Sequence, residues 1–200
     1  NEIISSIHGN LCGDGCLTKY FVSRGPGDIL RYNRKNKLRL RYIIIYTNDR
    51  KELLNKFKGN LTILFPNIKF SNSRENEVRT RNKSIVEFFE KFGNFKSRKW
   101  KIPKEITNGG IKVKTSWLKS FFDDEATIRG FRIIASSVNS KGMTQVRKIL
   151  NSIKVKNKLI HYKTKSDIVV YDIKKYSDLI GFDHKLKKEK LKELINKIYE

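Results

Sequence analysis

The chain has 200 residues, 44 Lys and Arg against 20 Asp and Glu, a net charge of +24 and an isoelectric point near 10.1. Such an excess of one sign repels itself unless a polyanion neutralises it, so nucleic acid is the expected partner. With 38% hydrophobic residues, including 12 Phe, 8 Tyr and 2 Trp, the chain can build one or two real cores, which excludes a disordered basic tail. No apolar run approaches the roughly 18 residues of a bilayer span, and no helical pattern joins a clean lysine face to a large apolar one, so no membrane partner is expected. The first residues lack the basic start of a signal peptide. Cys12 and Cys16 are too few and too close for a zinc site or a disulfide framework, which fits reduced thiols in an intracellular compartment.

In chain order, Ile3, Ile4, Ile7 and Leu11 recur at helical spacing, Gly9 interrupts them, and Gly13, Asp14 and Gly15 stop the run. Residues 17–24 read as a strand and 25–28 as a loop. From Lys37 the pattern alternates: Lys37, Arg39 and Arg41 face one way and Leu38, Leu40 and Tyr42 the other, a half-buried strand with a basic outer face that runs on to Ile45. Asn48 or Asp49 then caps a helix over 50–58. A short strand over 78–81 precedes a helix over 84–92 that Gly93 ends. Residues 97–113, with Ile102-Pro103 and Gly109-Gly110, form a linker between a first half, 1–96, and a second, 114–200. In the second half Trp117, Leu118, Phe121 and Phe122 give the apolar face of a helix that closes on Asp124, Glu125 and Ala126. A strand over 128–137, a helix over 143–153 behind an Asn139 or Ser140 cap, a hairpin of 159–163 and 168–172, a short helix over 176–180 and a terminal helix over 186–199 follow. Each half thus runs helix, strands, helix, strands, helix.

Superposing the two opening helices places Gly9 on Ser120 and Asp14 on Glu125. Small residues one turn above the acids let two helices approach backbone to backbone, so Gly9 and Ser120 form the helix interface and each helix delivers one carboxylate to a shared point. Each helix C-terminus adds about half a negative charge, and neighbouring carboxylates raise each other's pKa. A divalent cation resolves that conflict. Mg²⁺ takes few protein carboxylates together with waters and phosphate oxygens, so Asp14 and Glu125 read as metal ligands in phosphodiester chemistry. Two antiparallel sheets side by side would make a saddle with a basic face. Its candidate nucleic-acid contacts are Lys19, Arg24, Arg39, Arg41, Asn48, Arg79 and Arg81 in the first half, and Arg129, Arg132, Lys163 and Lys165 in the second.

These residues resemble the paired LAGLIDADG motifs of homing endonucleases. The nine-letter motif lies over 7–15 and 118–126, with its acidic eighth position at Asp14 and Glu125. The resemblance spans nearly the whole chain, including the distance between motifs, Ile102-Pro103 and Ile180-Gly181-Phe182, and it is to the single-chain, intron-encoded form. It departs where Cys12 stands in place of the frequent position-six acid, where Asn10 is unusually polar, and where Asp124 and Ala126 replace a small residue and a glycine. Asp123 keeps the position-six acid, for capping or orientation; His8 is expected to face away from the helix seam in a structural role.

The resemblance implies an α+β fold of two pseudo-symmetric αββαββα halves whose sheets form a DNA-binding saddle, in a monomer with an internal twofold axis. The implied activity is sequence-specific cleavage of double-stranded DNA at a long asymmetric site, with Mg²⁺ as cofactor (Mn²⁺ or Ca²⁺ standing in for binding) and short 3′ overhangs as product. The carbonyls of Gly13 and Asp124 would join the metal ligands, and Arg79, Lys163 and Asn48 would surround the metal-bound waters. The expected compartment is the cytoplasm or nucleoid of a prokaryote, or an organellar matrix. The alternative on the same fold is an intron maturase with host intron RNA as partner; two surviving acids favour the nuclease.

Overall fold

A computed structural model of the chain describes residues 1–23, 38–71 and 74–199. The first half carries α1 (Glu2–Cys12), β1 (Gly15–Ser23), β2 (Leu38–Thr47), α2 (Lys51–Leu64), β3 (Glu77–Thr80) and α3 (Lys83–Glu90). A short α4 (Lys104–Thr107) leads into the second half: α5 (Ile111–Glu125), β4 (Ala126–Arg129), β5 (Arg132–Ser137), α6 (Ser140–Ser152), β6 (Asn157–His161), β7 (Ser166–Val170), α7 (Ile173–Leu179) and α8 (Lys185–Tyr199). Both sheets are antiparallel, ordered β1-β2-β3 and β4-β5-β7-β6. Among the described residues no helix is long and apolar enough to cross a membrane.

The sheet orders correspond, β1 to β4, β2 to β5 and β3 to β7. Among the described residues, the counterpart of β6 in the first half is an isolated bridge, Phe70 to Thr80, with Ser71 N–H donating to Arg79 O at 2.8 Å. Pro66 stands in the turn that leads into that segment, where the Ile68 N–H donates to Phe65 O at 2.9 Å.

Several expected boundaries move. The loop at 25–28, with Arg24 and Lys37, lies outside the described residues. Helix α2 runs to Leu64 rather than 58, because Leu53, Leu54, Phe57 and Leu61 keep one face buried throughout. Its N-cap is Arg50, which makes no side-chain cap bond, so neither Asn48 nor Asp49 caps it; instead Asn48 Oδ1 accepts the Arg50 N–H at 3.0 Å. The single strand expected over 128–137 is a hairpin. Gly130, at φ +52°, supplies a left-handed residue for a two-residue turn, and Arg129 pairs opposite Arg132. The second hairpin turns earlier than expected, with Tyr162 N–H bonded to Lys165 O at 2.8 Å; Lys163 therefore sits in the turn and Lys165 at its end, and neither occupies a strand position.

Helices α1 and α5 form the centre of a single core. A Cβ on Gly9 would stand 2.6 Å from Trp117 O and 3.1 Å from Ser120 Cβ, so the backbones meet only because this residue is glycine. Ser6 and Ser120 share a hydroxyl bond at 2.7 Å across the seam, and Ser5 Oγ donates to Val113 O, also at 2.7 Å. His8 corrects the expectation that it faces away. It is fully buried in the seam, its Nδ1 accepts from Trp117 Nε1 at 3.0 Å, and burial lowers its pKa to about 4, so it is a neutral structural acceptor.

Residues 97–113 are no bare linker. Trp100, Ile102 and Ile106 are buried, Asn139 Nδ2 donates to Trp100 O, and the Gln145 amide pairs with both the N–H and the carbonyl of Ile102 at 2.9 and 3.0 Å. A Cβ on Gly142 would lie 2.2 Å from the Trp100 ring, so the indole seats directly on the α6 backbone.

Candidate active site

Asp14 follows the end of α1 and Glu125 is the last residue of α5, so the tight seam sets both acids at one end of the helix pair. The second tip also carries Asp124. Gly13 makes room for it, since a Cβ there would stand 2.8 Å from Asp124 Oδ2. Three groups from the first half hold that carboxylate: Tyr46 OH donates to Oδ1 at 2.6 Å, Asn10 Nδ2 to Oδ2 at 3.1 Å and Asn48 Nδ2 to Oδ1 at 3.2 Å. Asn48 Nδ2 also reaches Asp14 Oδ2 at 3.2 Å. Two of the four departures of the motifs, a polar Asn10 and an acidic Asp124, are therefore one feature: each is the partner of the other.

The electrostatics match the crowding. Burial pushes the Glu125 carboxyl up to about 7, with the Asp14 charge adding to it. Burial also raises Asp14, against the pull of Lys187 and the Asn48 amide, and raises Asp124 despite its Tyr46 bond. Asp123, buried, rises to about 6 for the same reason. It accepts the backbone N–H groups of Asp183 at 3.0 Å and His184 at 3.1 Å, so its role is to fix the start of α8.

Two clefts flank the acids. One of about 410 Å³ is lined by Asp14, Thr47, Asn48, Asp124, His184 and Lys187; the other, about 280 Å³, by Gly13, Glu125, Phe95, Trp100, Ser136 and Lys165. Lys165 Nζ there is tied to Asp167 at 3.1 Å and Ser136 at 3.3 Å. Among the described residues no three His, Cys, Asp or Glu side chains gather closely enough to cage a metal by themselves.

The candidate nucleic-acid contacts divide. In β2, Tyr42, Ile44 and Tyr46 face the helices, so Arg39 and Arg41, in register with Val22 and Tyr20, lie on the opposite face. Arg79 shares its face with Ile45 and is held in a two-point pair with Glu77 at 2.7 and 3.0 Å, while Arg81 is exposed just beyond β3. Arg129 and Arg132 are exposed opposite one another, with the Arg132 guanidinium over the Tyr171 ring at 5.5 Å. Lys19 does not join them. It is in register with Tyr42 on the helix side of the sheet and pairs with Glu90 of α3 at 2.6 Å. Lys163 is exposed in its turn, and Arg24 lies outside the described residues.

Sequence reasoning missed Lys187. Its Nζ donates to the carbonyls of Asp123 and Phe122, the latter at 3.4 Å, beside the acids. It is one of six lysines in α8, and no pattern in the sequence singles it out. Tyr46 was also missed; it reads from its alternation as a core residue, and only its hydroxyl reaches the acids.

Fold and site together define a single chain with two acid-tipped helices crossed at a pseudo-twofold axis, each leading into an antiparallel sheet. The chain is 25% identical over 205 residues to the homing endonuclease I-ApeI of Aeropyrum pernix, covering 92% of this chain and 89% of that one. Its fold matches the homing endonuclease I-DmoI solved in complex with DNA and Mn, with a TM-score of 0.64 and 17% identity, over 90% of this chain and 96% of that one. It also matches a full-length DUF199/WhiA protein from Thermatoga maritima, at a TM-score of 0.60 and 12% identity, over all of this chain and 61% of that one. No family model matches the chain. In carrying both motifs on this fold, the chain is similar to the LAGLIDADG homing endonucleases.

Proposed function

We propose that this chain is a sequence-specific double-strand DNA endonuclease that cuts a long asymmetric site by divalent-metal-dependent hydrolysis, leaving short 3′ overhangs. The observation that carries the reading is the helix seam: in a chain of net charge +24, Gly9 and Ser120 close two helices so that Asp14 and Glu125 emerge together between two basic-faced sheets. The 92% overlap with a homing endonuclease supports it, as does the DNA complex of I-DmoI.

The residues fit a hard divalent cation. Asp14 and Glu125 resist ionisation where they stand, and the donor set of carboxylates and helix-end carbonyls leaves positions for water and phosphate, which suits Mg²⁺ better than a full protein cage. Asp14 and Glu125, with the carbonyls of Gly13 and Asp124, would hold it. Bound there, the ion supplies an activated water and a stabilised leaving oxygen. The chain's own groups do the rest. Asn48 fixes the Asp14 carboxylate, Tyr46 and Asn10 keep the Asp124 tip against Gly13, and Lys165 brings positive charge to the Glu125 cleft. Arg39, Arg41, Arg129 and Arg132 stand where they can meet a duplex laid across the sheets. Arg79 is oriented for the same face by Glu77.

One chain carries both centres, so a monomer suffices. A maturase would need neither acid, and both are present. The test is a plasmid library with randomised inserts incubated with the protein and Mg²⁺. Recovery of linear plasmids sharing one sequence, cut at one position with 3′ overhangs, is expected; a library left intact in Mg²⁺ and Mn²⁺ refutes the reading. Metal-free binding to the recovered site should weaken by roughly 0.9 log units per log unit of salt for each phosphate neutralised.

A further inference from the structure

We infer that the saddle face of the second sheet reads A·T pairs through thymine methyl groups, with Ile134, Val169 and Ile160 as the specificity-determining residues. The inference rests on the nuclease reading and deepens it, by naming the base class that the second half selects.

The alternation of β5 and β7 divides their side chains between two faces. Ile133, Ala135, Ile168 and Val170 belong to the core beneath the sheet, so Ile134 and Val169, in register with each other, point to the opposite face. Ile160 of β6 joins them. Its neighbour Leu159 packs against the core, and Ile160 itself stands opposite Asp167, diagonal to Val169. None of the three is part of the core, yet Val169 is only 5% exposed and the two isoleucines are half-buried. A single apolar residue on the open face of a sheet is ordinary. Three adjoining ones on three neighbouring strands form a band.

The margins of that band are charged where the band is not. Arg129 and Arg132 lie one row outward on the same face, and Lys158, in register with Val169, flanks it on the edge strand. Asp167, a carboxylate on that face, is already engaged, accepting from Ser136 Oγ at 2.7 Å and from Lys165 Nζ at 3.1 Å. A duplex laid there meets cations for its phosphates at the margins and an apolar surface between them. A two-stranded ribbon fits the major groove, and the thymine C5-methyl is the apolar group displayed there. A guanine or cytosine edge pressed onto the band would lose water and gain no partner.

The first half is built otherwise at the equivalent place. With Asp14 on Glu125, Cys16 falls on Thr127; the first row runs Cys16, Ile45, Arg79 and the second Thr127, Ile134, Val169. Where one sheet carries an arginine the other carries a valine, which assigns the methyl readout to the second half.

The test uses a site enriched from a random duplex library by retention on the protein without metal, so that it does not depend on cutting. Each thymine is replaced in turn by deoxyuridine, which deletes the methyl and keeps the pairing, and binding is titrated with wild type and Ile134→Thr. At neighbouring thymines in one half of the site, uracil should weaken wild-type binding about fourfold, the size of one methyl-sized group returned to water. The same replacement should weaken Ile134→Thr by less than about twofold, because the partner is gone. Cytosine at the sensitive position should bind more weakly still, and 5-methylcytosine should recover part of that loss. Ile160→Thr, on the edge strand, repeats the measurement should Ile134→Thr prove unstable. Uracil scans that leave both proteins unmoved, or that weaken both equally, overturn the inference. So does enrichment of G·C at the positions whose preference Ile134→Thr alters. Failure of the nuclease reading looks different, since the enriched site is then left uncut in Mg²⁺ and Mn²⁺ with its methyl response intact. A library from which no sequence is enriched removes both.

Discussion

The two motif tips share a backbone plan and differ in chemistry. The first, Gly13-Asp14-Gly15, offers one acid between two glycines; the second, Asp124-Glu125-Ala126, offers two acids in a row. The first cleft is polar and receives Asn48, Lys187 and the Asp124 carboxyl of the opposite half, whereas the second is walled by Phe95, Trp100 and Val138. The lesson is that the pseudo-twofold axis constrains the helices and leaves the side chains free to diverge, provided each change is answered across the seam. Asp124 is tolerated because Gly13 yields the space and Asn10, Tyr46 and Asn48 supply donors.

That comparison can be broken most sharply at the acids. Asp14→Asn and Glu125→Gln should each lower double-strand cleavage on the order of a thousandfold or more, as loss of a metal ligand does, while metal-free DNA affinity, read by gel shift, stays within a few-fold. If both variants still linearise the plasmid, neither acid is a ligand. At the seam, Gly9→Ala forces a methyl onto Trp117 O and should cost about 3 kcal/mol, on the order of 9 °C in thermal melting. Gly59→Ala in α2 meets nothing within 4 Å and should instead gain about 1 kcal/mol, so equal effects at the two glycines would contradict the close approach. Tyr46→Phe removes the shortest bond to Asp124 and should cost about 2 kcal/mol. Combined with Asp124→Asn it should cost less than the sum; strict additivity would mean the pair does not act as a unit.

On the sheets, Arg39→Ala or Arg41→Ala should relax preference at one base pair by roughly 1 to 3 kcal/mol if the side chain reads guanine, and Lys19→Ala should leave DNA affinity unchanged because it lies on the helix side. Binding titrations against single-base variants of the site decide it, and a loss at Lys19 equal to that at Arg39 would reassign the faces. A further expected effect is in pH. Glu125 keeps its proton to about 7 when folded against an ordinary 4.5, so the folded state binds more protons across that window. Metal-free stability should therefore fall as pH rises from 4.5 to 7, and Glu125→Gln should flatten the melting curve's pH dependence. A steeper fall in the variant would remove Glu125 as the cause.

Most of this was legible because it is periodic or local. The recurrence of Ile7, Gly9, Leu11 and Asp14 against Leu118, Ser120, Phe122 and Glu125 locates the helix pair, and the alternation after Lys37 locates β2. What escaped depends on long-range contacts. Lys187 is distinguished from its five neighbouring lysines only by what Asp123 and Asp183 do to the start of α8. Lys19 and Arg39 are both basic strand residues, and only the register against Tyr42 and Val22 shows that they face opposite ways. The stretch 97–113 reads as a connection from its Pro and Gly, while the burial of Trp100 depends on a glycine 42 positions later.

That last contact bears on how such proteins can be recombined. The two halves look like exchangeable modules, yet Trp100, Ile102 and their partners Asn139, Gly142 and Gln145 knit the connecting stretch to the second half before the second motif begins. A chimaera cut at the helix seam alone would sever this stitch and leave an indole without its seat. The natural crossover point lies upstream of Trp100, so that the connector travels with the half it is sewn to.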